Sequence, residues 1–411
     1  MNGKPLCILN FLFKSSAKFL VLFFLFFGLT QCAWSRWVDF SVGEFGYTFL
    51  LDDKGDVWGF TETTRLKGLH KLKGLKDIKA LQPFVAIDKN GDVFTWEFDR
   101  EKTNYGEVST DDIGIPGAVY TNAKRESRIK NAVLIAATLY NSRVVVQADG
   151  GIYQFGYYYE PKDGANDKDT VERRDFFRLI GRKPDIQSIA YSDDRTSVLL
   201  KNGDVISWLS TFNWDFQRGE STYRESLASI ELGKVAAQAV SIHDGQLNQD
   251  QLSVLLADGR VAYLKSCVQF RRKDEQTYTK SVSTYGWQIM RDKHGVIGNI
   301  ARMMGGSTNG SETVFVKRDG SVWSTNARKS EHINQFDVLL KKNPLDCGYS
   351  LPFVFQRVKG MSARARKVET GHGFVLALDS ENQLWAASTA NKNWRESFTK
   401  LSSPKNLSIK E

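Results

Sequence analysis

The chain is poor in the residues that build special architectures. It has four cysteines, eight prolines, five histidines and five methionines in 411 residues. So few cysteines exclude a disulfide scaffold, and so few prolines exclude a collagen-like or proline-rich chain. His70, His243, His294, His332 and His372 show no helical or finger spacing, and no cysteine lies near one, so no zinc site is expected. There is no G-x-S-x-G elbow and no G-x-x-x-x-G-K-[ST] phosphate loop. Gly305–Gly310 is glycine-rich but lacks the lysine. No cofactor, metal site or catalytic residue is expected, and the chain is not expected to be an enzyme. What is present is 41% apolar and 25% charged residues, enough to bury a core and exclude wholesale disorder.

One long apolar run stands out. Residues 1–35 carry no acid and no arginine, and Lys4, Lys14 and Lys18 precede the apolar stretch Phe19–Leu29. A basic start followed by a short apolar core is secretory-signal geometry, and the core is too short for a transmembrane helix of about 20 residues. Ala33-Trp34-Ser35 offers small residues for cleavage after Ser35. A lipid anchor at Cys32 is the rival, although Gln31 stands where a lipobox has a small residue. The expected organisation is a leader over 1–35 and a mature domain over 36–411, periplasmic or secreted, without a membrane span after cleavage.

Loss of three lysines with the leader takes the net charge from +9 to +6. Nucleic-acid binders concentrate charge in a patch or stripe. The richest local runs, Lys67–Lys79 and Arg271–Lys273, suit solvated loops, so no nucleic-acid partner is expected. The mature domain keeps Cys267 and Cys347. A disulfide between them would close a loop of about 80 residues, worth ~4 kcal/mol in the chain-entropy view. Two buried thiols are the equal alternative.

The mature chain repeats one unit. Apolar positions lead into a polar stretch, a glycine, one variable residue and an apolar pair. The turn positions are Gly55, Gly91, Gly150, Gly203, Gly259, Gly320 and Asn382. Asn-Gly and Asp-Gly signal hairpins through primed turns, where positive φ favours Gly and then Asn. Two residues on, the side chain is always Val, Ile or Leu. Three residues on, it is aromatic in Trp58, Phe94, Tyr153, Trp323 and Trp385. Adjacent apolar residues mean a strand covered on both faces. A lone hairpin cannot cover both, so neighbours must stack on it. Seven hairpins predict an all-β, seven-bladed β-propeller of divergent repeats. The longer intervals, among them 99–130, 157–184, 209–237, 267–297 and 325–365, are expected as loops, with a helix over 222–238. A terminal strand, Trp37–Phe40 or Phe398–Leu401, is expected to close the ring.

The segment Val368-Glu-Thr-Gly-His372-Gly-Phe-Val-Leu-Ala-Leu-Asp-Ser-Glu-Asn-Gln-Leu-Trp385 resembles the repeat of the regulator-of-chromosome-condensation family. Ile78–Trp96, Ile186–Trp208 and Arg302–Trp323 resemble it with less fidelity. The resemblance spans the mature chain and implies a seven-bladed propeller that binds proteins through its loops. Nucleotide exchange and chromatin binding belong to the eukaryotic prototype. The secreted second-type β-lactamase inhibitor proteins are the branch nearest in setting. Only His372 keeps the family histidine, and no exchange wedge is present.

The aromatics Tyr157, Tyr158, Tyr159, Phe212, Trp214, Phe216 and Trp287 lie just past the repeat strands. Tyr and Trp supply large, stiff contact area with a polar handle. They are the residues expected to meet a partner protein, with core packing the alternative for each. The expected function is an exported, monomeric, non-enzymatic propeller that occludes another protein, as an inhibitor or immunity protein. A glycan-binding or glycan-active propeller and an effector of a host small GTPase are the alternatives.

Overall fold

The computed structural model describes residues 36–43, 47–60, 69–99, 102, 118–137, 142–161, 171–192, 195–215, 220–235, 239–245, 251–272, 278–304, 312–326, 354–371, 374–388 and 394–401. The leader, Phe216, His372 and Cys347 lie outside the described residues. Cys267 falls in a strand whose side chain there is not described.

Seven four-stranded antiparallel sheets follow one another, each a meander in chain order. Blade 1 comprises Trp37–Val42, Thr48–Asp52, Val57–Phe60 and Leu69–Lys71. Blade 2 comprises Ile78–Gln82, Val85–Asp88, Val93–Thr95 and Lys124–Arg125. Blade 3 comprises Ala132–Ala137, Ser142–Gln147, Gly151–Pro161 and Val171–Arg182. Blade 4 comprises Ile186–Ser192, Arg195–Leu200, Asp204–Asp215 and Glu220–Lys234. Blade 5 comprises Ala239–Gly245, Gln251–Leu256, Val261–Arg272 and Tyr278–Ile289. Blade 6 comprises Ile300–Met304, Glu312–Lys317, Val322–Asn326 and Val354–Arg357. Blade 7 comprises Ala365–Thr370, Phe374–Asp379, Leu384–Ser388 and Thr399–Lys400. The first strand of each blade touches the first strand of the next, and that of blade 7 touches that of blade 1. The chain is a closed seven-bladed β-propeller, with these first strands around the axis.

The repeat pattern maps onto packing between blades. Val57, Val93, Ile152, Val205, Val261, Val322 and Leu384, two residues past the turns, are all buried. Phe60, Trp96, Phe155, Trp208 and Leu264 are buried as well. Each apolar cluster draws on two neighbouring blades; one joins Val85, Ile87 and Val93 to Val145 and Phe155.

The turns differ from the primed type. Gly55, Gly91, Gly150, Gly203, Gly259, Gly320 and Asn382 have positive φ, but the residues before them do not. In blade 1, the Gly55 N–H donates to the Asp52 carbonyl and the Asp52 N–H to the Asp56 carbonyl. This is a three-residue loop, a type I turn followed by a left-handed residue. A second constraint acts on the glycines. The carbonyls of the six turn glycines accept the amides of Ile78, Ala132, Lys183, Val235, Ile300 and Ala365, where the chain enters the following blade. A Cβ on Gly150 would lie 2.2 Å from the Lys183 carbonyl oxygen, and one on Gly55 2.8 Å from the Ile78 nitrogen.

Two further expectations are corrected. Residues 222–234 form most of the strand Glu220–Lys234 and not a helix. It pairs with the preceding strand, without a slip from Ser210 opposite Glu225 to Asp215 opposite Glu220, with Tyr223 opposite Phe212 and Thr222 opposite Asn213. Among the described residues no terminal strand is exchanged either. Trp37–Val42 pairs within blade 1 and Thr399–Lys400 within blade 7. Side chains close the ring instead: Trp37, Phe40, Leu50 and Phe60 of blade 1 cluster with Phe374, Leu376, Leu378 and Leu384 of blade 7.

Candidate functional site

The intervals expected as loops in blades 3, 4 and 5 are largely strand. In blade 3, the second strand ends its pairing where Ser142 meets Gly156. The third and fourth strands continue beyond it, from Tyr157 opposite Asp175 to Pro161 opposite Val171. In blade 4, the second strand's pairing ends where Arg195 meets Leu209, and the outer pair runs on from Ser210 opposite Glu225 to Asp215 opposite Glu220. In blade 5, the outer pair runs on from Ser266 opposite Thr284 to Arg272 opposite Tyr278. At about 3.4 Å per residue, five to seven extra pairs make hairpins roughly 17–24 Å tall. In a meander these tips lie on the face opposite the glycine turns. Strands Gly151–Pro161 and Glu220–Lys234 touch, as do Glu220–Lys234 and Tyr278–Ile289. Three adjacent blades thus raise a wall of hairpins from one face.

The wall is anchored at its base. Tyr157 is 6% exposed, and the Arg173 guanidinium lies 3.7 Å over its ring. Arg173 forks the Glu97 carboxylate of blade 2 at 2.7 and 2.9 Å. These contacts hold Arg173 above its usual pKa, the Glu97 hydrogen bonds being the largest cause. Beneath them Arg143 is buried and donates to the Phe84 carbonyl at 3.2 Å. Burial lowers its pKa, and the Glu97 charge opposes that. Trp287, on the outer strand of blade 5, packs on the blade 4–5 core and donates its indole N–H to the Leu232 carbonyl of blade 4 at 3.0 Å.

The expected partner-binding aromatics therefore divide. Tyr157 and Trp287 serve blade-to-blade packing, Tyr157 with almost no surface left for a partner. Tyr158 and Tyr159 pair with Arg174 and Arg173 along the blade 3 hairpin. Phe212 pairs with Tyr223, and Trp214 with Ser221, along the blade 4 hairpin. Tyr223 is the aromatic that the helical expectation hid. The side chains of Tyr158, Tyr159, Phe212 and Trp214 are not among the described ones.

The acids of the turns at Gly55 and Gly91 hold the turns themselves: Asp52 Oδ1 accepts the Lys54 and Asp56 amides, and Asp88 Oδ1 those of Asn90 and Asp92. Among the described residues no group of three His, Cys, Asp or Glu could hold a metal ion. Ser241 Oγ and His243 Nε2 lie 2.8 Å apart on the inner strand of blade 5. Burial pushes the His243 imidazole down to about 4. Among the described residues no carboxylate orients that ring, so the pair lacks the third member of a nucleophile–base relay.

No protein-family model matches the chain, and no curated protein matches it. Similar solved structures include Prp20p of Saccharomyces cerevisiae, described with its binding to Gsp1p and histones, at 13% identity and a TM-score of 0.44 over 78% of this chain and 75% of that one. Human WBSCR16 is similar at 13% identity and a TM-score of 0.48, over 83% and 86%. Chaetomium thermophilum Sqt1 bound to the N-terminus of ribosomal protein L10 is similar at 11% identity and a TM-score of 0.42, over 86% and 85%.

Proposed function

We propose that the protein is an exported, non-enzymatic propeller that binds another protein through the wall of hairpins on blades 3–5. The observation that carries the reading is the asymmetry of the ring. The third strands of blades 3, 4 and 5 run 11, 12 and 12 residues, while those of blades 1, 2, 6 and 7 run three to five. Ring formation needs only the short version. The extra length runs beyond the pairing of the second strands, and it carries Tyr158, Tyr159, Phe212, Trp214 and Tyr223 in strand register. A rigid wall with aromatic positions suits occlusion of a partner's surface, because ordered anchors lose little entropy on binding. Inhibition or neutralisation of an exported enzyme or toxin is the specific form we favour, and the basic-then-apolar leader supports a periplasmic or secreted setting.

The test removes the wall and keeps the ring. Residues 158–174, 210–225 and 266–284 are each replaced by a short Asn-Gly turn, and capture of partners from the cell-envelope fraction is compared with the intact protein. Loss of a specific band with an unchanged unfolding midpoint supports the reading. Retention of every band by the shortened protein overturns it. N-terminal sequencing of the purified protein tests export: a start at Arg36 is expected, and an intact Met1 would overturn it.

A further inference from the structure

The other face presents a different feature, at the axis. In all seven blades the pairing of first and second strands slips at the same place, between the first residue and the third. The skipped residue belongs to a bulge beside the glycine turns. Val38, Lys79, Val133, Val240 and Ala301 are exposed at this position, although their strands are the innermost of the ring. Flanked by neighbouring blades and the second strand, they have only the axial channel to face. Blades 4 and 7 differ: Gln187 donates to the Ala239 and Val240 carbonyls, and Arg366 Nη2 donates to those of Trp37 and Val38 at 2.9 and 2.8 Å.

The residue after the bulge is polar in five blades. In four of them the side chain is bonded within the protein. Lys367 binds Asp39, Ser188 accepts the Ile242 amide, and Ser241 meets His243. The fifth is Arg302 of blade 6. It is exposed, and among the described residues its side chain has no hydrogen bond and no ion pair. Its neighbour across the blade junction is Arg366, whose Nε is buried without a hydrogen-bond partner. The acids that face Arg366 are Asp39 and Asp379. Both are committed elsewhere. Asp39 lies 2.6 Å from Lys367, while Asp379 accepts the Glu381 and Gln383 amides and the Trp385 indole N–H. Lys79, at the bulge of blade 2, is likewise exposed and unpaired among the described residues. Other cations on this face pair with acids, among them Lys71 with Asp56, Lys89 with Asp77, Arg125 with Asp92 and Lys201 with Asp185.

We propose that the axial mouth on the glycine-turn face binds an oxyanion, carboxylate or phosphate, at Arg302 and Arg366. Two guanidinium groups on adjacent inner strands repel each other while the site is empty, and an oxyanion relieves that repulsion. The free donors of Arg302 match the two oxygens of such a group. Val38 and Val240 at the same level of the channel favour a ligand with an apolar body behind its charged end. The site is independent of the hairpin wall, which rises from the opposite face.

The experiment titrates the purified protein with inorganic phosphate and, separately, with a short peptide ending in a free leucine carboxylate. Chloride holds the ionic strength constant, and the Arg366 Nε–H resonance, which Arg302→Gln leaves in place, is followed. A saturable shift is expected from at least one probe, and Arg302→Gln should weaken that binding by about tenfold or more. Lys400→Gln, on the outer strand of blade 7, should titrate like the unaltered protein. Saturation by phosphate alone names an inorganic or phosphorylated ligand. Saturation by the peptide but not by its C-terminal amide names a carboxylate. No saturation by either probe, an equal shift with chloride alone, or unchanged affinity in Arg302→Gln would each overturn the proposal.

Discussion

The Lys367 ammonium lies 2.6 Å from the Asp39 carboxylate, joining the last blade to the first across 328 residues of sequence. Lys367 also reaches Glu369 at 2.8 Å and the Phe40 carbonyl at 2.6 Å, and Glu369 accepts the Val42 amide at 2.7 Å. The inner edge of blade 1 is an unpaired sheet edge, and blade 7 satisfies it with side chains. Removing the lysine strands two acids in a largely dry seam. Lys367→Ala is expected to lower stability by about 3 kcal/mol or more, read as a shift of the urea midpoint. Lys367→Arg should recover part of the loss.

The same cluster sets a pH dependence. Burial pushes the Glu369 carboxyl above the usual carboxylate range, against the pull of Lys367 and with the help of Asp39. A raised folded-state pKa contributes stability in acid that is lost as pH rises through it. Burial alone would depress Lys367, but the facing Glu369 and Asp39 carboxylates outweigh it and hold the ammonium above its ordinary value. Its contribution fades only in alkali. Glu369→Gln should therefore abolish a decline in stability between mild acid and neutrality, measured as urea midpoints across that window.

His243 works in the opposite direction. Its pKa is depressed by burial to about 4, so its contribution is present above the ordinary histidine value and is lost as pH falls toward the depressed one. His243→Gln should flatten the acid limb that Glu369→Gln leaves in place. An unchanged acid limb in His243→Gln would assign the loss to other groups.

Two left-handed glycines, one in a turn and one in a strand, offer a matched comparison. Gly233 has φ +81 with nothing within 4 Å of a built Cβ, whereas Gly55 has φ +80 and the next blade's backbone at 2.8 Å. Gly233→Ala should cost about 1 kcal/mol, the conformational term alone. Gly55→Ala should cost more by about 1–3 kcal/mol, because the junction to blade 2 must move. Equal midpoint shifts in thermal unfolding would remove the steric part of this account.

Arg173 tests the anchoring of the wall. Its fork on Glu97 is partly exposed, so the pair contributes about 1 kcal/mol at most to global stability. Its role is local. Arg173→Ala should speed amide hydrogen exchange of Tyr157–Pro161 and Val171–Asp175 while leaving the ring strands protected.

The ring was legible in the sequence because its unit is short-range chemistry. A left-handed residue followed by an apolar pair marks a hairpin wherever it occurs, and Asn382 fits where glycine is otherwise used. The turn class was missed: Asp-Gly suits both a primed pair and a type I turn with a left-handed third residue. The wall was hidden for another reason. Ser-Thr-Phe-Asn-Trp-Asp and Glu-Ser-Thr-Tyr-Arg-Glu are strands that pair with each other, and neither carries the adjacent apolar pair that marks the ring strands. Tyr157 looked like a surface aromatic because its cover, Arg173, comes from the returning strand and is held by Glu97 of another blade.

Neither end of the propeller borrows a strand from the other, and this bears on how the wheel is made. Blades 1 through 7 can each complete their own ladders while the arc is still open. Closure must await contacts between positions such as 39 and 367, 328 residues apart. Until then the apolar flanks of the first and last blades are both uncovered. Each is complementary to the other, and equally to the same flank of a second molecule. During synthesis or refolding at high concentration, end-to-end addition of arcs competes with circularisation. Dilution during refolding should therefore favour the closed monomer.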